Sequence, residues 1–244
     1  VTGVQTCALP ICHLARSRCA QKNGAAARLD DYAHFGIAAL ALYEATGHVE
    51  FLSDAETSAK TILDRFAAPG GGYYMTPPDS LLPLRPLHAD DNSLPSGNAV
   101  VVKLFSRLAA VTGDMHWQDA AEKGAASFAD TMASHVFPHA AMIEAALEAQ
   151  TSLSIVIAGG SLEARTALHG VLRSLSVPAQ VLRLEAGLDI PQGHPAYGKK
   201  MDGVAAAWIC TAGRCLSPVT SAQTFREMLR AERQGTQRPP ANDG

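Results

Sequence analysis

The chain is predicted to be mainly α, a partial α/α toroid followed by a small C-terminal βαβ-type α/β segment. Three observations predict this. The first is a repeat at 66 residues: Leu42-Tyr43-Glu44-Ala45-Thr46-Gly47 returns as Leu108-Ala109-Ala110-Val111-Thr112-Gly113. Its flanks match too, with Phe51 on Trp117, Ala55 on Ala121, Ile62 on Phe128 and Phe66 on Met132. Two apolar-periodic runs divided by Thr-Gly read as a helical hairpin used more than once. The second is an alternation of helix types. The first helix of each pair is apolar nearly all round, whereas Glu50, Asp54, Glu56 and Lys60 give the second a wetted face. Inner and outer helices in alternation are the pattern of a toroid. The third is the loss of helical period after Gln150, where short apolar runs bounded by glycine begin.

Residues 1–12 are expected to carry no structure. Val1 to Ile11 resemble the in-frame translation of a high-throughput sequencing adapter, with Cys12 at the junction. They lack the basic and apolar regions of a signal peptide. On this reading the segment is foreign, the natural chain continued upstream, and toroid hairpins occupy 13–150.

The first helix opens at Leu29-Asp30-Asp31-Tyr32, with Asp30 expected as its N-cap, and Gly47 stops it. A second runs from about Val49 to Ala67. In the next hairpin Ser96 caps, Val100 to Val111 follow, Gly113 breaks the run, and His116 to Ala133 return. A fifth helix spans Pro138 to Gln150, with proline in its first turn. The linker Ala68–Pro95 is long for a compact domain, which points to function or to a short hairpin pairing Tyr73-Tyr74 with Leu82-Pro83-Leu84.

Residues 151–234 are read as an α/β closing segment of the same domain. Ser154–Ala158 is a buried strand, Ser161 caps a helix to about Ser176, and Gln180–Leu184 is a second strand parallel to the first. Ala205–Cys210 is a third strand, Ala222–Arg233 a last helix, and 235–244 a disordered tail.

Composition narrows the function classes. The chain has 244 residues, 47% of them hydrophobic and 18% charged, with a net charge of −3. Without a basic run, nucleic acid is not expected as a partner. No apolar stretch approaches the ~18 residues of a membrane span. Apart from Cys7 and Cys12, the cysteines are Cys19, Cys210 and Cys215, few enough to suggest a reducing compartment, by default the cytoplasm. Gly159-Gly160-Ser161 lacks the rest of a dinucleotide-binding fingerprint, and no cofactor is expected.

If both inner helices start at one rim, the long linker returns over that rim, and a pocket is expected there. Its candidate groups are Asp30 and Asp31, His88 with Asp91 as base and orienting carboxylate, Arg85, Tyr74, Ser96 and Asn98. Each has a structural counterpart: helix capping for Asp30, Asp31 and Ser96, an ion pair with Asp90 or Asp91 for Arg85, a surface histidine for His88. Ser96 lacks the surroundings of a hydrolytic nucleophile. Cys210 and Cys215 are read first as a structural pair, alternatively as a redox pair, and no metal site is expected because no second Cys/His pair lies nearby.

Several of these segments carry a family resemblance. Leu29-Asp30-Asp31-Tyr32-Ala33, Gly71-Gly72-Tyr73-Tyr74, Asp91-Asn92-Ser93-Leu94-Pro95-Ser96-Gly97-Asn98 and the Cys210–Thr220 segment resemble thioredoxin-domain-containing proteins related to spermatogenesis-associated protein 20. The resemblance implies an (α/α)6 six-hairpin toroid similar to sugar epimerases and glycosidases, preceded by a thioredoxin-like domain absent from this chain. It also implies a carbohydrate-like ligand, by analogy of fold. The expectation is acid–base chemistry by Asp31, His88 and Asp91, with Asp30, Tyr74, Arg85, Ser96 and Asn98 binding substrate. The alternatives are a non-catalytic binding or scaffold module for the missing thioredoxin-like domain, and redox work by Cys210 and Cys215. As a fragment, the chain is expected to be inactive.

Overall fold

The computed structural model describes residues 14–19, 22–80, 83–151, 153–175, 179–183, 191–194, 197–198, 203–211 and 214–236. Both hairpins of the repeat are present. Helices α1 (Leu29–Thr46) and α2 (Val49–Phe66) form the first, α3 (Gly97–Thr112) and α4 (Met115–Ala126) the second. The Thr-Gly signature has the same physical basis in each. Gly47 and Gly113 take left-handed φ of 73° and 74°, and their N–H groups bond back to the Tyr43 and Ala109 carbonyls. Thr46 Oγ1 donates to the Leu42 carbonyl and Thr112 Oγ1 to the Leu108 carbonyl, both at 2.7 Å. The same two hydroxyls accept from His48 N and Asp114 N, which starts the next helix.

The helix starts differ from the sequence expectation. Arg28, not Asp30, is the N-cap of α1, because the Asp31 carboxylate reaches back to the Arg28 N–H at 2.8 Å. Ser96 caps α3 as expected, its hydroxyl accepting from Ala99 N at 3.1 Å. The run expected from His116 to Ala133 breaks into α4 and a short α5 (Ala129–Ser134). A Cβ on Gly71 would lie 3.0 Å from Ser127 Cβ, so the glycine turn of the linker is seated against the break. A 3-10 turn, Phe137–His139, leads into α6 (Ala140–Thr151).

Helices α1 and α3 run side by side in the same direction. Gly97 starts α3 against the backbone of Asp30, Leu104 fills the space beside Gly36, and Arg107 pairs with Glu44 near both C-terminal ends. Helix α6 packs on the other flank of α3, where Lys103 Nζ reaches Glu148 at 2.8 Å. An aromatic chain of Tyr73, Phe105 and Trp117, with centroids 5.6 and 5.4 Å apart, ties the linker through α3 to α4.

The C-terminal part is a four-stranded sheet in the order β4-β3-β5-β6, from β3 (Leu153–Ala158), β4 (Ala179–Arg183), β5 (Ala206–Thr211) and β6 (Arg214–Cys215). As expected, β3 and β4 are parallel and joined through a helix, α7 (Leu162–Leu175). Strand β5 pairs antiparallel with β3, and β6 was not foreseen. Alternate residues divide the sheet. Val156, Ala206, Trp208 and Cys210 join the helical core, while Ile155, Ile157, Ala207 and Ile209 pack under α7 and α8 (Ala222–Thr236). Helix α8 continues through Thr236, into the tail expected to be disordered. Leu184, Ser176 and residues 237–244, included in those expectations, lie outside the described residues. A two-stranded ribbon, β1 (Arg18–Cys19) with β2 (Lys22–Asn23), precedes α1. Among the described residues no helix is long and apolar enough to cross a membrane.

The Arg107–Glu44 pair is the charged joint of the helical core, with side-chain exposures of 17% and 11%. Burial raises the Glu44 carboxyl above its ordinary 4.5, Arg107 opposes this, and Glu148 adds to it. Removing one partner strands a buried charge, so Arg107→Ala should cost roughly 3–5 kcal/mol by urea denaturation, and Glu44→Leu with Arg107→Leu much less. A carboxyl whose proton is held more tightly in the folded state makes stability fall as pH rises above about 4.5. Glu44→Gln should remove that part of the slope in a pH series of urea melts.

Candidate functional site

Asn98 sits at the first turn of α3, fully buried. Its Oδ1 accepts from Tyr73 N at 2.8 Å, and its Nδ2 donates to the Tyr73 and His88 carbonyls, each at 2.9 Å. One side chain therefore holds the linker at two points 15 residues apart in sequence. Around it the linker returns over the starts of α1 and α3. Leu29 N donates to Met75 O and Met75 N to Pro86 O. Tyr73 pairs with Ala67 in an isolated antiparallel bridge, not with the strand expected at 82–84, of which Leu82 is outside the described residues. The common rim is present, and its polar groups are largely absorbed in holding it together.

The carboxylates show this most clearly. Asp91 Oδ1 accepts from Ser96 N at 3.0 Å and Oδ2 from Ala141 N at 2.8 Å, while its own N–H donates to Pro138 O at 2.7 Å. It fastens the linker to the starts of α3 and α6 at once, where negative charge is favoured by the helix ends. Asp31 is committed to Arg28 N, and Arg16 Nη1 lies 3.1 Å from Asp31 and 3.2 Å from Asp30. Ser96 is a cap and Asn98 a linker clamp. Asp91, Ser96 and Asn98 thus each hold main-chain groups, and Asp31 does so through Oδ2.

Two expected pairings are corrected. His88 faces Asp90 instead of Asp91, with Nδ1 3.6 Å from Oδ2, because Asp91 is turned inward to the helix starts. Asp90 Oδ1 also lies 3.4 Å from Nε2 of His139, a buried side chain whose Nδ1 donates to the His135 carbonyl. Arg85 pairs with neither Asp90 nor Asp91. It donates to the Thr76 and Arg65 carbonyls at 2.9 and 2.7 Å, and its guanidinium stacks 4.2 Å above the Tyr74 ring. That stack consumes both Arg85 and Tyr74 as a linker brace. Burial pushes the neighbouring Tyr73 hydroxyl up to about 12, and it donates to the Ala120 carbonyl.

A cavity of about 250 Å³ opens between the N-terminal ribbon and the linker, lined by Leu14, Ala15, Ala27, Tyr32, Arg65 and Asp79 among others. Arg65 Nη2 and Asp79 Oδ1 pair there at 2.9 Å. None of Asp31, His88 and Asp91 lines it. Sequence reading missed this place because residues 14–27 have no periodic pattern and Arg65 and Asp79 belong to different segments.

Cys210 and Cys215 form a disulfide across the register pair that joins β5 to β6. Cys210 is buried against the helical core, so the bond closes a short hairpin from inside the molecule. Among the described residues no three His, Cys, Asp or Glu side chains are grouped to hold a metal.

Asp91→Ala should leave the Ser96 and Ala141 N–H groups without their acceptor and cost roughly 2 kcal/mol or more, read by chemical denaturation. Loop-closure entropy predicts that Cys215→Ser lowers stability by about 2 kcal/mol under oxidising conditions and not at all under reducing ones. Against known proteins, no family model matches the chain, and a search of curated proteins finds no match either.

Proposed function

We propose that the two hairpins are consecutive members of an (α/α)6 six-hairpin toroid of the thioredoxin-domain-containing family related to spermatogenesis-associated protein 20. We further infer that this part of the toroid binds a carbohydrate-like small molecule without performing acid–base chemistry on it. The observation that carries the reading is Asp91. A general acid or base needs a lone pair or proton open to its substrate, and both oxygens of Asp91 already accept main-chain N–H groups. Asp31 is engaged through Oδ2, which accepts from Arg28 N and Arg16 Nη1.

The place for the ligand is the cavity beside the N-terminal ribbon. Arg65 and Asp79, paired with each other through Nη2 and Oδ1, would meet hydroxyl groups with their remaining N–H groups and Oδ2, and Leu14, Ala15 and Ala27 supply an apolar wall. In the whole protein this module would serve the thioredoxin-like domain implied by the resemblance. The cytoplasm is the location that cysteine usage suggests, whereas the Cys210–Cys215 bond favours an oxidising compartment.

A second reading keeps acid–base chemistry, with His88 as base and Asp90 in the orienting role expected of Asp91. The 3.6 Å approach of His88 Nδ1 to Asp90 favours it. Turnover of a glycoside or sugar that His88→Gln abolishes and Asp90→Asn weakens would be its signature.

Calorimetric titration of the chain with a panel of neutral hexoses and uronic acids tests the binding reading. The expected result is saturable binding of at least one sugar, weakened about tenfold or more, equal to ~1.4 kcal/mol, by Arg65→Ala with the melting temperature preserved. Binding that ignores Arg65, or no binding across the panel, would overturn it.

A further inference from the structure

Asp90 lies between two imidazoles, and the hydrogen bonding of one of them dictates which charge state the contact requires. His139 sits in the 3-10 turn before α6 with its ring buried. Its Nδ1 is 2.7 Å from the His135 carbonyl. A carbonyl only accepts, so a proton is fixed on Nδ1. A neutral His139 would then present the bare lone pair of Nε2 to Asp90 Oδ1, 3.4 Å away, and two acceptors would face each other. Only the imidazolium, with protons on both nitrogens, makes the contact attractive. His88 differs. Its Nδ1, 3.6 Å from Asp90 Oδ2, is buried and has no hydrogen-bond partner among the described residues. A neutral ring protonated on Nδ1 suits Asp90 there, so His88 need not change charge.

We propose that His139 and Asp90 form a pH-sensitive latch between the linker and the turn that leads into α6, closed when His139 is doubly protonated and open when it is neutral. Histidine changes charge between about pH 5 and 8, so the latch is closed at the acid end of that range and is lost as pH rises. Asp90 is half exposed and can turn to water when the contact goes. Its neighbours cannot move with it. Both oxygens of Asp91 accept main-chain N–H groups, its N–H donates to Pro138 O, and the His88 carbonyl is held by Asn98. The latch therefore sets the Asp90 side chain and the tightness of the junction at Pro138, not the path of the linker. The other charged groups on the surrounding elements do not compete for the ring. Asp130 and His135 are exposed, and Lys103 of α3 reaches Glu144 and Glu148 of α6. The inference goes beyond the sugar-binding reading and does not rest on it.

Long-range proton–nitrogen NMR of the imidazoles in the full chain reads the protonation of each ring nitrogen across about pH 5 to 8. His139 should carry protons on both nitrogens at the acid end and lose the one on Nε2, not the one on Nδ1, as pH rises. The Asp91 amide, bonded to Pro138 O across the same junction, reports the latch by hydrogen exchange. Its protection, corrected for intrinsic exchange, should fall about threefold or more over that range, the scale of a partly exposed ion pair. Asp90→Asn places an amide there that can donate to a neutral Nε2 or accept from a charged one, so Asp91 protection should become indifferent to pH. This variant lies at a half-exposed position and tests the latch without disturbing the buried ring. His88→Gln should leave the pH dependence in place. The proposal is overturned by a His139 ring that keeps one protonation state throughout, or by Asp91 protection that falls as much in Asp90→Asn as in the parent. Loss of the pH dependence in His88→Gln would overturn it too, by placing the charge change on the other ring. No sugar enters these measurements, so this conclusion and the binding reading fail separately.

Discussion

The side chain of Asn98 is the joint on which the rim of this molecule depends. A buried amide must find partners for its oxygen and both its hydrogens, and here all three are main-chain groups of Tyr73 and His88. Because α3 is rigid, its first turn becomes a template for a linker that has little regular structure of its own. The Tyr74–Arg85 stack and the contact of Gly71 with the α4 break then follow as secondary braces on a path already set.

The same rim explains why its carboxylates resemble acid–base residues in sequence. Helix starts present free N–H groups and a positive end, and carboxylates are drawn to them for reasons of stability alone. Asp31 and Asp91 satisfy those N–H groups, and Asp91 does so for two helices at once. A carboxylate so engaged is fixed on the main chain, whereas proton transfer asks for an oxygen open to substrate. His88 and Asp90 keep partly exposed side chains beside the residues the helix starts have captured.

Away from the rim, the core is organised by two faces of one sheet. Strand alternation puts Trp208 and Cys210 against the helices and Ile209 and Ala207 under α7 and α8, so β3 and β5 belong to both hydrophobic clusters. This makes the C-terminal segment a closing layer of the helical array, with the disulfide at the inner side of its last hairpin. The Glu44–Arg107 pair is the counterpart between helices, joining the parallel α1 and α3 near their C-terminal ends.

Much of the fold was legible before any coordinates. The Thr-Gly break, the apolar first helices and the shift to short strands after Gln150 are local signals, and backbone geometry acts on them locally: left-handed glycines at 47 and 113, a helix period of 3.6, a strand period of 2. The start of α1 was misjudged because Asp30 and Asp31 both suit a helix start, and the choice fell to which one reached the free N–H of Arg28. The partners of His88, Arg85 and Asp91 were not legible at all. Each depends on where a long linker crosses helices far away in sequence, and hydrogen-bond geometry over such distances is set by packing. Local sequence determined the helices, the turns and the strand alternation, because those are properties of neighbouring residues. Tertiary structure alone decided which polar groups stayed open, because buried main-chain N–H and C=O groups from distant segments had first claim on them.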